Sequence, residues 1–501
     1  MQDGTRLAAV DLGSNSFRLE IGRIEHDQFY RTEYLKETVR QGSGLDEDRN
    51  LTPEAMQRGW DCLARFGERL AGFDSTEVRA VATQTLREAR NRDEFLLRAD
   101  EVLGFPIDVI SGREEARLIY QGVAHALAPS NERRLVVDIG GRSTELILGQ
   151  GLKPKLMESY RVGSIAWSAR YFPDNQFSKH AFQMAEIAAK ALLDEALNAY
   201  RRDDWDMAYG SAGTVGAVGD VLVAAGWPGG TVDRAGLDWV QEKLISAQSA
   251  DRIRLPGLKE DRRTIIGGGL SILRAVFDLL QIDQMQLANG GLRHGVLFNL
   301  AGNSSDQADV RPRSVQRLAS KFGTDLEHGL RVSKVALHMF AQLQSNQKPS
   351  VLKNERPGRK LGWAAQLHEI GSRISHADYH KHGAYILENS DAMGFTLSEL
   401  HRLSLLVLGH RGKLRKLDID FEDDVFMEQL LALRLAVILC HARRDPDLGG
   451  LHLSRPADQD KTFALSCRPK WAQNYPQSAH LLREEVLAWQ KIPWSLTLTG
   501  C

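Results

Sequence analysis

The sequence AAVDLGSNSFRLEI at residues 8–21 returns in altered form as VVDIGGRSTELIL at residues 136–148. Aspartate, glycine, serine and leucine recur in step in the two copies, and each copy has an apolar run before the turn and another after it. That pattern is typical of a β-hairpin closed by a glycine-rich turn. Because the hairpin occurs twice, the sequence predicts two related α/β domains.

The rest of the chain divides around these hairpins. We expect α/β domains over residues 1–127 and 128–303, with a linker at residues 301–313, where the apolar periodicity stops. Apolar residues recur every three or four positions over residues 311–443, which predicts an all-α domain. Short β-like runs and one helical run over residues 446–501 predict a small α+β domain.

The composition excludes several classes of protein. The 501 residues include 64 lysine or arginine and 65 aspartate or glutamate residues, and 43% of the chain is hydrophobic, which indicates a folded protein. The balanced charge provides no general attraction to nucleic acid, so no nucleic-acid partner is expected. Residues 311–445 depart from this balance, because they hold 21 basic residues against 15 acidic ones.

Two apolar stretches bear on the cellular location. Leu7–Val10 is too short for the apolar region of a signal peptide, and the least polar long stretch, Tyr209–Gly230, is interrupted by Asp220. We therefore expect no transmembrane segment. The expected location is the cytoplasm, with peripheral attachment at the inner membrane as the second option.

The repeated turn has the form DxGxxS, which suits phosphate binding. Glycine lets backbone N–H groups approach a phosphate closely, and the serine hydroxyl can donate to it. The aspartates, Asp11 and Asp138, would repel phosphate unless a divalent cation or an ordered water lies between them. One such turn is an ordinary hairpin feature, whereas two in matching contexts predict a shared phosphate site.

Two further segments are candidate anion sites, each with an alternative. YGSAGT at residues 209–214 opens a predicted helix, whose free N–H groups favour negative charge, although the small residues also suit close packing. TQTLRE at residues 83–88 places Arg87 in a first helical turn, beside the same kind of site or in solvent.

Two adjacent carboxylates begin another predicted helix, SGREEARLIY at residues 111–120. Ser111 and Glu114 have capping-box spacing, so Glu114 is expected to bond back to the helix start, at about 1 kcal/mol of stability. Glu115 lies further round the helix, where it could deprotonate a water. The alternative is an ion pair between Glu115 and Arg117 or another neighbour.

Five motifs together resemble those of the exopolyphosphatase and guanosine pentaphosphate phosphohydrolase family: AVDLGSNSF at 9–17, ISGREEARLI at 110–119, VDIGGRSTEL at 137–146, GSAGT at 210–214 and GLRHG at 291–295. That family belongs to the superfamily of actin, sugar kinases and Hsp70, which has a ribonuclease H-like fold. The resemblance therefore implies duplicated actin-like domains. The resemblance to the long family members also implies an HD-like all-α domain followed by a small C-terminal domain. It further implies a homodimer.

The resemblance also implies roles for particular side chains. Glu115 would be the catalytic base, and Asp138 and Glu145, with Asp11, would be associated with a divalent metal. The expected metal is Mg²⁺, with a monovalent cation such as K⁺ as a second ion. The resemblance further implies phosphate binding by Ser14, Asn15, Arg87, Gly140, Gly141 and Ser143. The loops themselves add five further expected phosphate-binding residues, Arg142, Gly210, Ser211, Gly213 and Thr214.

Arg142 departs from the family pattern, which has glycine or another small residue at this turn position. Its guanidinium either points into the cleft and binds substrate or points outward and stiffens the turn. We expect it to point inward, because Asp138 and Glu145 make this side of the cleft negative. Arg142→Gly would then weaken substrate binding by about 1.5 to 3 kcal/mol.

The helical region is rich in histidine. His368 and Glu369 resemble the His-Asp pair of HD phosphohydrolases, but glutamate replaces the aspartate, and Val437 stands where those domains place their last aspartate. The sequence therefore does not predict a metal here. It leaves open structural histidines or a basic path for a polyanion. The residues of that path would be His376, His380, Lys381, His382, His410, Arg411 and Lys413.

These expectations combine into a phosphoanhydride hydrolase. The first hypothesis is an exopolyphosphatase that removes terminal phosphate processively from inorganic polyphosphate, because the segments at 376–382 and 410–413 look more like the members that act on polyphosphate. The alternative is a guanosine pentaphosphate (pppGpp) 5′-phosphohydrolase, which shares the motifs. A sugar kinase would need a sugar-binding insert that we do not find, and a more remote alternative is an actin-like nucleotide-binding assembly protein.

Overall fold

The computed structural model describes residues 4–25, 28–128, 130–302, 311–344, 356–390, 392, 394–456 and 460–500. The chain divides into two compact units, residues 1–309 and residues 310–501. The predicted linker at residues 301–313 spans this division. Residues 303–310 lie outside the described part, and the residues from Arg311 onward belong to a helix rather than to a linker.

The first unit is built on two mixed sheets. Its strands are β1 (Arg6–Leu12), β2 (Phe17–Glu25), β3 (Gln28–Glu37), β4 (Val78–Ala82), β5 (Ile107–Val109), β6 (Arg133–Ile139), β7 (Thr144–Gln150), β8 (Lys153–Tyr160), β9 (Met207–Ser211), β10 (Thr231–Asp233) and β11 (Gln284–Leu287). One sheet has the order β3-β2-β1-β4-β5, and the other has the order β8-β7-β6-β9-β11-β10.

The two sheets share one topology. In each, the hairpin strands are antiparallel neighbours, and the next strand inward pairs in parallel with the first strand of the hairpin. The predicted hairpins are β1–β2 and β6–β7, and the predicted mixed α/β architecture is confirmed, whereas the division into domains at residues 127 and 128 stays a prediction. In the register, Asp11 lies opposite Arg18, and Asp138 lies opposite Glu145.

Helices cover the two sheets of the first unit. They are α1 (Pro53–Arg69), α2 (Gln84–Glu88), α3 (Arg92–Leu103), α4 (Gly112–His125), α5 (Ser164–Tyr171), α6 (Lys179–Leu193), α7 (Ala196–Ala199), α8 (Ala212–Ala224), α9 (Arg234–Ala247), α10 (Ile266–Leu279) and α11 (Leu292–Gly302). The second sheet packs on α6, α8 and α10 through a core that includes Leu135, Val137, Leu146, Phe182, Val218 and Leu273.

Helices α4 and α11 touch backbone to backbone. A Cβ atom on Gly295 would lie 1.8 Å from the carbonyl oxygen of Leu118, and one on Gly122 would lie 2.0 Å from that of Gly291. Helices approach this closely only where side chains are absent. Although α11 follows the second sheet in the chain, it packs against β1, β4 and α4 of the first, through Leu7, Val81, Leu118, Val296 and Leu297.

The second unit is mainly helical. Its helices are α12 (Arg311–Lys321), α13 (Leu326–Gln344), α14 (Arg356–Leu367), α15 (Tyr379–Glu388), α16 (Leu397–Gly409), α17 (Asp424–Leu439), α18 (Trp471–Asn474) and α19 (Pro476–Trp489). Its strands are β12 (Leu451–Ser454), β13 (Thr462–Cys467) and β14 (Ser495–Thr499), in the order β12-β13-β14. The HD-like character of the helical part stays a prediction.

One hydrophobic core runs through the whole second unit. Leu430 and Met427 of α17 belong to the same buried cluster as Phe463 of β13. A buried ion pair joins the helices to the terminal segment, because Arg434 Nη2 donates to Glu485 Oε2 at 2.7 Å. The separate domains predicted over residues 311–443 and 446–501 thus share their packing. Within the described ranges, every helix is too short or too polar to cross a bilayer.

Candidate active site

The two repeated turns line a single pocket in the first unit. The cavity has a volume of about 310 Å³ and is lined by Gly13–Ser16 of the β1–β2 turn and by Gly140, Gly141 and Ser143 of the β6–β7 turn. The turns nearly touch, because a Cβ atom on Gly141 would lie 2.9 Å from the Cβ of Ser14. Glycine at this position is required by that close approach.

The first turn holds two serines that line the pocket, the motif serine Ser16 and Ser14, and the Ser14 hydroxyl is oriented for donation. Thr85 Oγ1 donates to Ser14 Oγ at 2.8 Å, so the proton of Ser14 remains available to a ligand. Asn15 also lines the pocket. Gly140 closes the second turn by donating its N–H to the carbonyl oxygen of Ser143 at 2.9 Å. Both turns therefore present polar groups to one cavity, as the sequence predicts.

A third wall comes from the start of α8. Ser211 and Gly213 line the pocket, whereas Gly210 and Thr214 do not. The Thr214 hydroxyl instead donates to the carbonyl oxygen of Ile139 at 3.1 Å. The first N–H groups of a helix have no partner within the helix, so this wall suits an anion.

Glu115 lies in the pocket wall, on the first turn of α4. Its carboxylate is buried and accepts a hydrogen bond from Arg87 Nη1 at 2.8 Å. Burial raises the pKa of Glu115, Arg87 lowers it in part, and the nearby Asp11 raises it again, with a net increase. A carboxylate with a raised pKa is a better proton acceptor, so Glu115 is suited to act as a general base.

Arg87 does not line the pocket, although the sequence places it among the phosphate-binding residues. Its guanidinium donates to Glu115, to the carbonyl oxygen of Ile110 at 2.9 Å, and to Gln84 Oε1 at 2.9 and 2.7 Å. These bonds hold it behind Glu115. We infer that Arg87 positions the carboxylate and tunes its pKa.

The expected capping box at Glu114 is only half formed. Ser111 Oγ accepts from the backbone N–H of Glu114 at 3.2 Å, as predicted, but the Glu114 carboxylate does not return to the helix start. Instead it accepts two hydrogen bonds from Arg117, both at 2.7 Å, and this ion pair is fully buried. Glu115 forms its ion pair with a different neighbour, Arg87, at 2.8 Å.

Three buried carboxylates line the pocket, those of Asp11, Glu115 and Asp138, and a fourth buried carboxylate, Glu145, lies opposite Asp138 in the β6–β7 hairpin. Burial raises the pKa of Asp138 to about 7, and the charge of Glu115 adds to this, while a hydrogen bond from Ser211 opposes it. Burial and the neighbouring carboxylates also raise the pKa of Glu145 well above its usual value. Glu145 does not line the pocket, and it accepts a hydrogen bond from Ser159 at 2.7 Å.

The pocket also contains cations that the sequence analysis did not select. Arg18 and Arg293 each place a guanidinium nitrogen 3.8 Å from Asp11 Oδ2. Arg262 lies against the start of α8, where a Cβ atom on Gly213 would be 2.1 Å from its Nη2. Hairpin register would have predicted Arg18, opposite Asp11, and Arg293 lies in the GLRHG motif. No local signal distinguishes Arg262.

Arg142 does not point into the cleft, so the expected inward orientation is wrong. It is not among the pocket-lining residues, and its Nη2 and Nε donate to Glu88 Oε2 at 2.6 and 3.0 Å. Its Nη1 donates to the carbonyl oxygen of Gly42 at 3.0 Å. The guanidinium therefore ties the β6–β7 turn to α2 and to the segment after β3, and its hydrogen bonds are satisfied within the protein.

Arg142→Ala is expected to lower stability and to leave KM close to the wild-type value, because the guanidinium binds Glu88 rather than substrate. A partly buried pair of this kind contributes about 1 kcal/mol. Unfolding and KM are to be measured for Arg142→Ala, Glu88→Gln and the double variant, whose stability losses should not add. A large rise in KM with unchanged stability would contradict this assignment.

The residues of the predicted polyanion path lie in the second unit. Lys381, Arg411, Lys413 and His376 are exposed, but His380 and His410 are buried. Burial lowers the pKa of both buried histidines, which disfavours their positive charge. His382 is partly exposed. The path loses two of its expected cations, and its remaining role stays a prediction.

Comparisons with known proteins cover nearly the whole chain. The family described as the Ppx/GppA phosphatase family matches residues 21–304, and Ppx/GppA phosphatase, domain III, matches residues 310–486. Two relatives, from Aeromonas hydrophila and Vibrio atlanticus, are each 37% identical to the chain. The first match covers 99% of both chains, and the second covers 98% of this chain and 97% of the relative. Both are named guanosine-5′-triphosphate,3′-diphosphate pyrophosphatase.

Solved structures share the fold of about three fifths of the chain. An exopolyphosphatase-like protein matches with a TM-score of 0.54 at 24% identity and covers 60% of this chain and 98% of its own. An exopolyphosphatase from Cytophaga hutchinsonii has a TM-score of 0.54 at 23% identity, with coverage of 59% and 98%. A Ppx/GppA family member from Aquifex aeolicus has a TM-score of 0.51 at 24% identity, with coverage of 60% and 99%.

Proposed function

The chain belongs to the Ppx/GppA phosphatase family, and on that premise we propose that it hydrolyses the terminal phosphoanhydride of guanosine 5′-triphosphate 3′-diphosphate. The relatives that match along their full length carry that substrate in their name. They favour this alternative over the polyphosphate hypothesis, which the sequence analysis placed first. The proposed products are orthophosphate and guanosine 5′-diphosphate 3′-diphosphate.

The observation that carries the proposal is the position of Glu115. Its buried carboxylate lies in the same pocket as both DxGxxS turns. The terminal phosphoryl group would bind the turns and the start of α8, while Glu115 accepts a proton from the attacking water. The water oxygen forms a bond to the terminal phosphorus, and the bond to the bridging oxygen breaks in line with it.

The positive charges in the pocket complement the negative charge of the proposed substrate. Five phosphate groups carry a dense negative charge, and Arg18, Arg262 and Arg293 line the cavity together with the polar turns. The Arg18 Nε is buried and has no hydrogen-bond partner within the described ranges. A buried donor without a partner is costly, so a bound phosphate oxygen would satisfy it.

The carboxylates fit a hydrated divalent cation. Among the described residues, no three of the pocket carboxylates bring oxygens within 4.8 Å of one another, so they form no closed cage. Mg²⁺ typically keeps several waters and takes one or two carboxylates plus substrate phosphates. Asp11 and Asp138, which line the pocket, are the residues that would hold it. A bound Mg²⁺ neutralises phosphate charge and polarises a phosphoryl oxygen.

Asp138→Asn is expected to raise the Mg²⁺ concentration needed for half-maximal activity severalfold, because a charged ligand in the pocket is lost. Glu145→Gln is the matched comparison, since this carboxylate is buried but does not line the pocket, and a smaller change is expected. Activity is to be titrated with Mg²⁺ for both variants. Equal titrations for Asp138→Asn and the wild type would exclude Asp138 as a metal-associated group.

Arg87→Met is expected to move the acid limb of the kcat/KM profile to higher pH. Burial raises the pKa of Glu115 and Arg87 lowers it, so removal of Arg87 leaves the burial effect unopposed. Because the base must be deprotonated, activity would begin at a higher pH. The exposed Arg90, changed to Met, is the control. An acid limb that stays in place in Arg87→Met would contradict the coupling.

Phosphate release from the two candidate substrates tests the proposed function directly. The pentaphosphate is expected to give the higher kcat/KM, and inorganic polyphosphate is the second candidate. Exposed cations at Lys381, Arg411 and Lys413 favour that second candidate, because they suit a long polyanion. A higher kcat/KM on polyphosphate would overturn the proposed preference. The homodimer and the cytoplasmic or inner-membrane location stay predictions.

A further inference from the structure

Four buried histidines meet at helix ends in the second unit: His328 at the start of α13, His368 after α14, His380 at the start of α15 and His410 after α16. Ring centres are 5.6 Å apart for His328 and His368, and 5.4 Å apart for His368 and His410. These residues are distant in the sequence, so the tertiary structure alone builds the cluster.

Glu369 adds a carboxylate to two of these histidines. Ligand atoms of His328, His368 and Glu369 all lie within 4.8 Å of one another. Two imidazoles and one carboxylate form a donor set found in catalytic zinc sites, where a water or another ligand takes the fourth position. The pocket carboxylates of the first unit offer oxygen alone, so the two sites differ in ligand chemistry.

The hydrogen bonds of the histidines leave nitrogen lone pairs for an ion. The Nδ1 of His368 lies 2.7 Å from the carbonyl oxygen of Ala365, so Nδ1 holds the proton and Nε2 is the free acceptor. The Nδ1 of His328 is buried and has no hydrogen-bond partner in the described part of the chain. A buried polar nitrogen without a partner requires an explanation, and a bound ion provides one.

A charged network orients two of the three ligands. Arg443 Nη2 donates to both oxygens of Glu369, at 2.9 and 3.1 Å, and its Nη1 donates to Asp325 at 2.9 Å. Asp325 also accepts the backbone N–H of His328 at 3.0 Å. Outer hydrogen bonds of this kind fix the ligands of metal sites. Glu369 could give one oxygen to an ion and keep the other on Arg443.

We propose that His328, His368 and Glu369 bind one divalent transition-metal ion, with Zn²⁺ the best match to the donor set. The HD pattern in the sequence argued against a metal, because Val437 stands where those domains place their last aspartate. The spatial cluster does not use that position. The ion would connect α13 to the turn after α14, and Arg443 would connect the site to the segment after α17.

Zinc binding by the full-length chain tests the proposal. The protein is stripped with a chelator, freed of it, and titrated with Zn²⁺ against a chromogenic indicator, without Mg²⁺ or phosphate. One tight equivalent per chain is expected. Loading with Co²⁺ instead should give the visible absorption of nitrogen-ligated cobalt. Failure of the wild-type chain to take up this equivalent would overturn the proposal.

Variants identify the ligands. Glu369→Gln and His368→Asn should each weaken zinc binding about 10-fold or more and reduce the cobalt absorption. His401→Asn is the matched control, because His401 and Glu388 form a surface pair at 3.0 Å outside the cluster. Asp138→Asn should keep the zinc equivalent, since it changes the first unit. If His368→Asn does not fold, the zinc affinity of Glu369→Gln decides the outcome, because Glu369 is partly exposed. Wild-type affinity in Glu369→Gln would overturn the assignment.

Discussion

Glu115→Gln is expected to lower kcat by about 10²- to 10⁴-fold, the usual contribution of a general base, on any substrate that the pocket hydrolyses. The amide keeps the shape of the side chain and its contact with Arg87, but it cannot accept the proton of the attacking water. Substrate binding should stay nearly intact, because the turns and the pocket arginines are unchanged. Single-turnover phosphate release and equilibrium binding are to be measured together.

The matched control is Glu158, which lies next to α4, the helix that carries Glu115. Glu158 of β8 pairs with Arg113 on α4, outside the pocket, and the pair is partly exposed. Glu158→Gln removes a carboxylate next to α4 without entering the site, so its kcat should stay at the wild-type level. Full activity in Glu115→Gln, or an equal loss in both variants, would exclude Glu115 as the base.

Glu114→Gln is expected to destabilise the first unit by about 3 to 5 kcal/mol, because it breaks a buried ion pair by removing the carboxylate that accepts two hydrogen bonds from Arg117. This is larger than the capping effect of about 1 kcal/mol that the sequence alone suggests. Arg79 Nη2, 3.9 Å from Glu114 Oε1, would lose the same partner. Denaturant unfolding of the full chain measures the loss, with the transition of each unit analysed separately.

The same surface pair serves as the control for stability. Glu158→Gln should cost at most about 1 kcal/mol, as is usual for a solvent-exposed ion pair. Glu114→Gln and Glu115→Gln should also differ in kind, the first losing stability and the second losing turnover. A stability loss for Glu114→Gln no greater than that for Glu158→Gln would contradict the buried ion pair.

Glu114 and its surroundings show which contacts the local sequence predicts and which it does not. The Ser111 cap was predicted from spacing alone and is confirmed, because a cap joins atoms three residues apart. The destination of the Glu114 carboxylate was predicted wrongly. Arg117 lies on the same helix and could have been considered, but only packing shows that both groups are buried together, which makes the ion pair stronger than the cap.

The sequence by itself determined the duplicated hairpins, because turn chemistry and apolar periodicity act over a few residues. The glycine and serine pattern and the family resemblance also predicted most of the turn residues that line the pocket, but Arg142, predicted with them, does not line it. The tertiary structure alone decided that Arg142 binds Glu88, 54 residues away, and that His328 meets His368 and Glu369. A charged side chain pairs with an opposite charge that lies nearby in space. Close packing between distant segments decides which charge that is, and the local sequence does not show this packing.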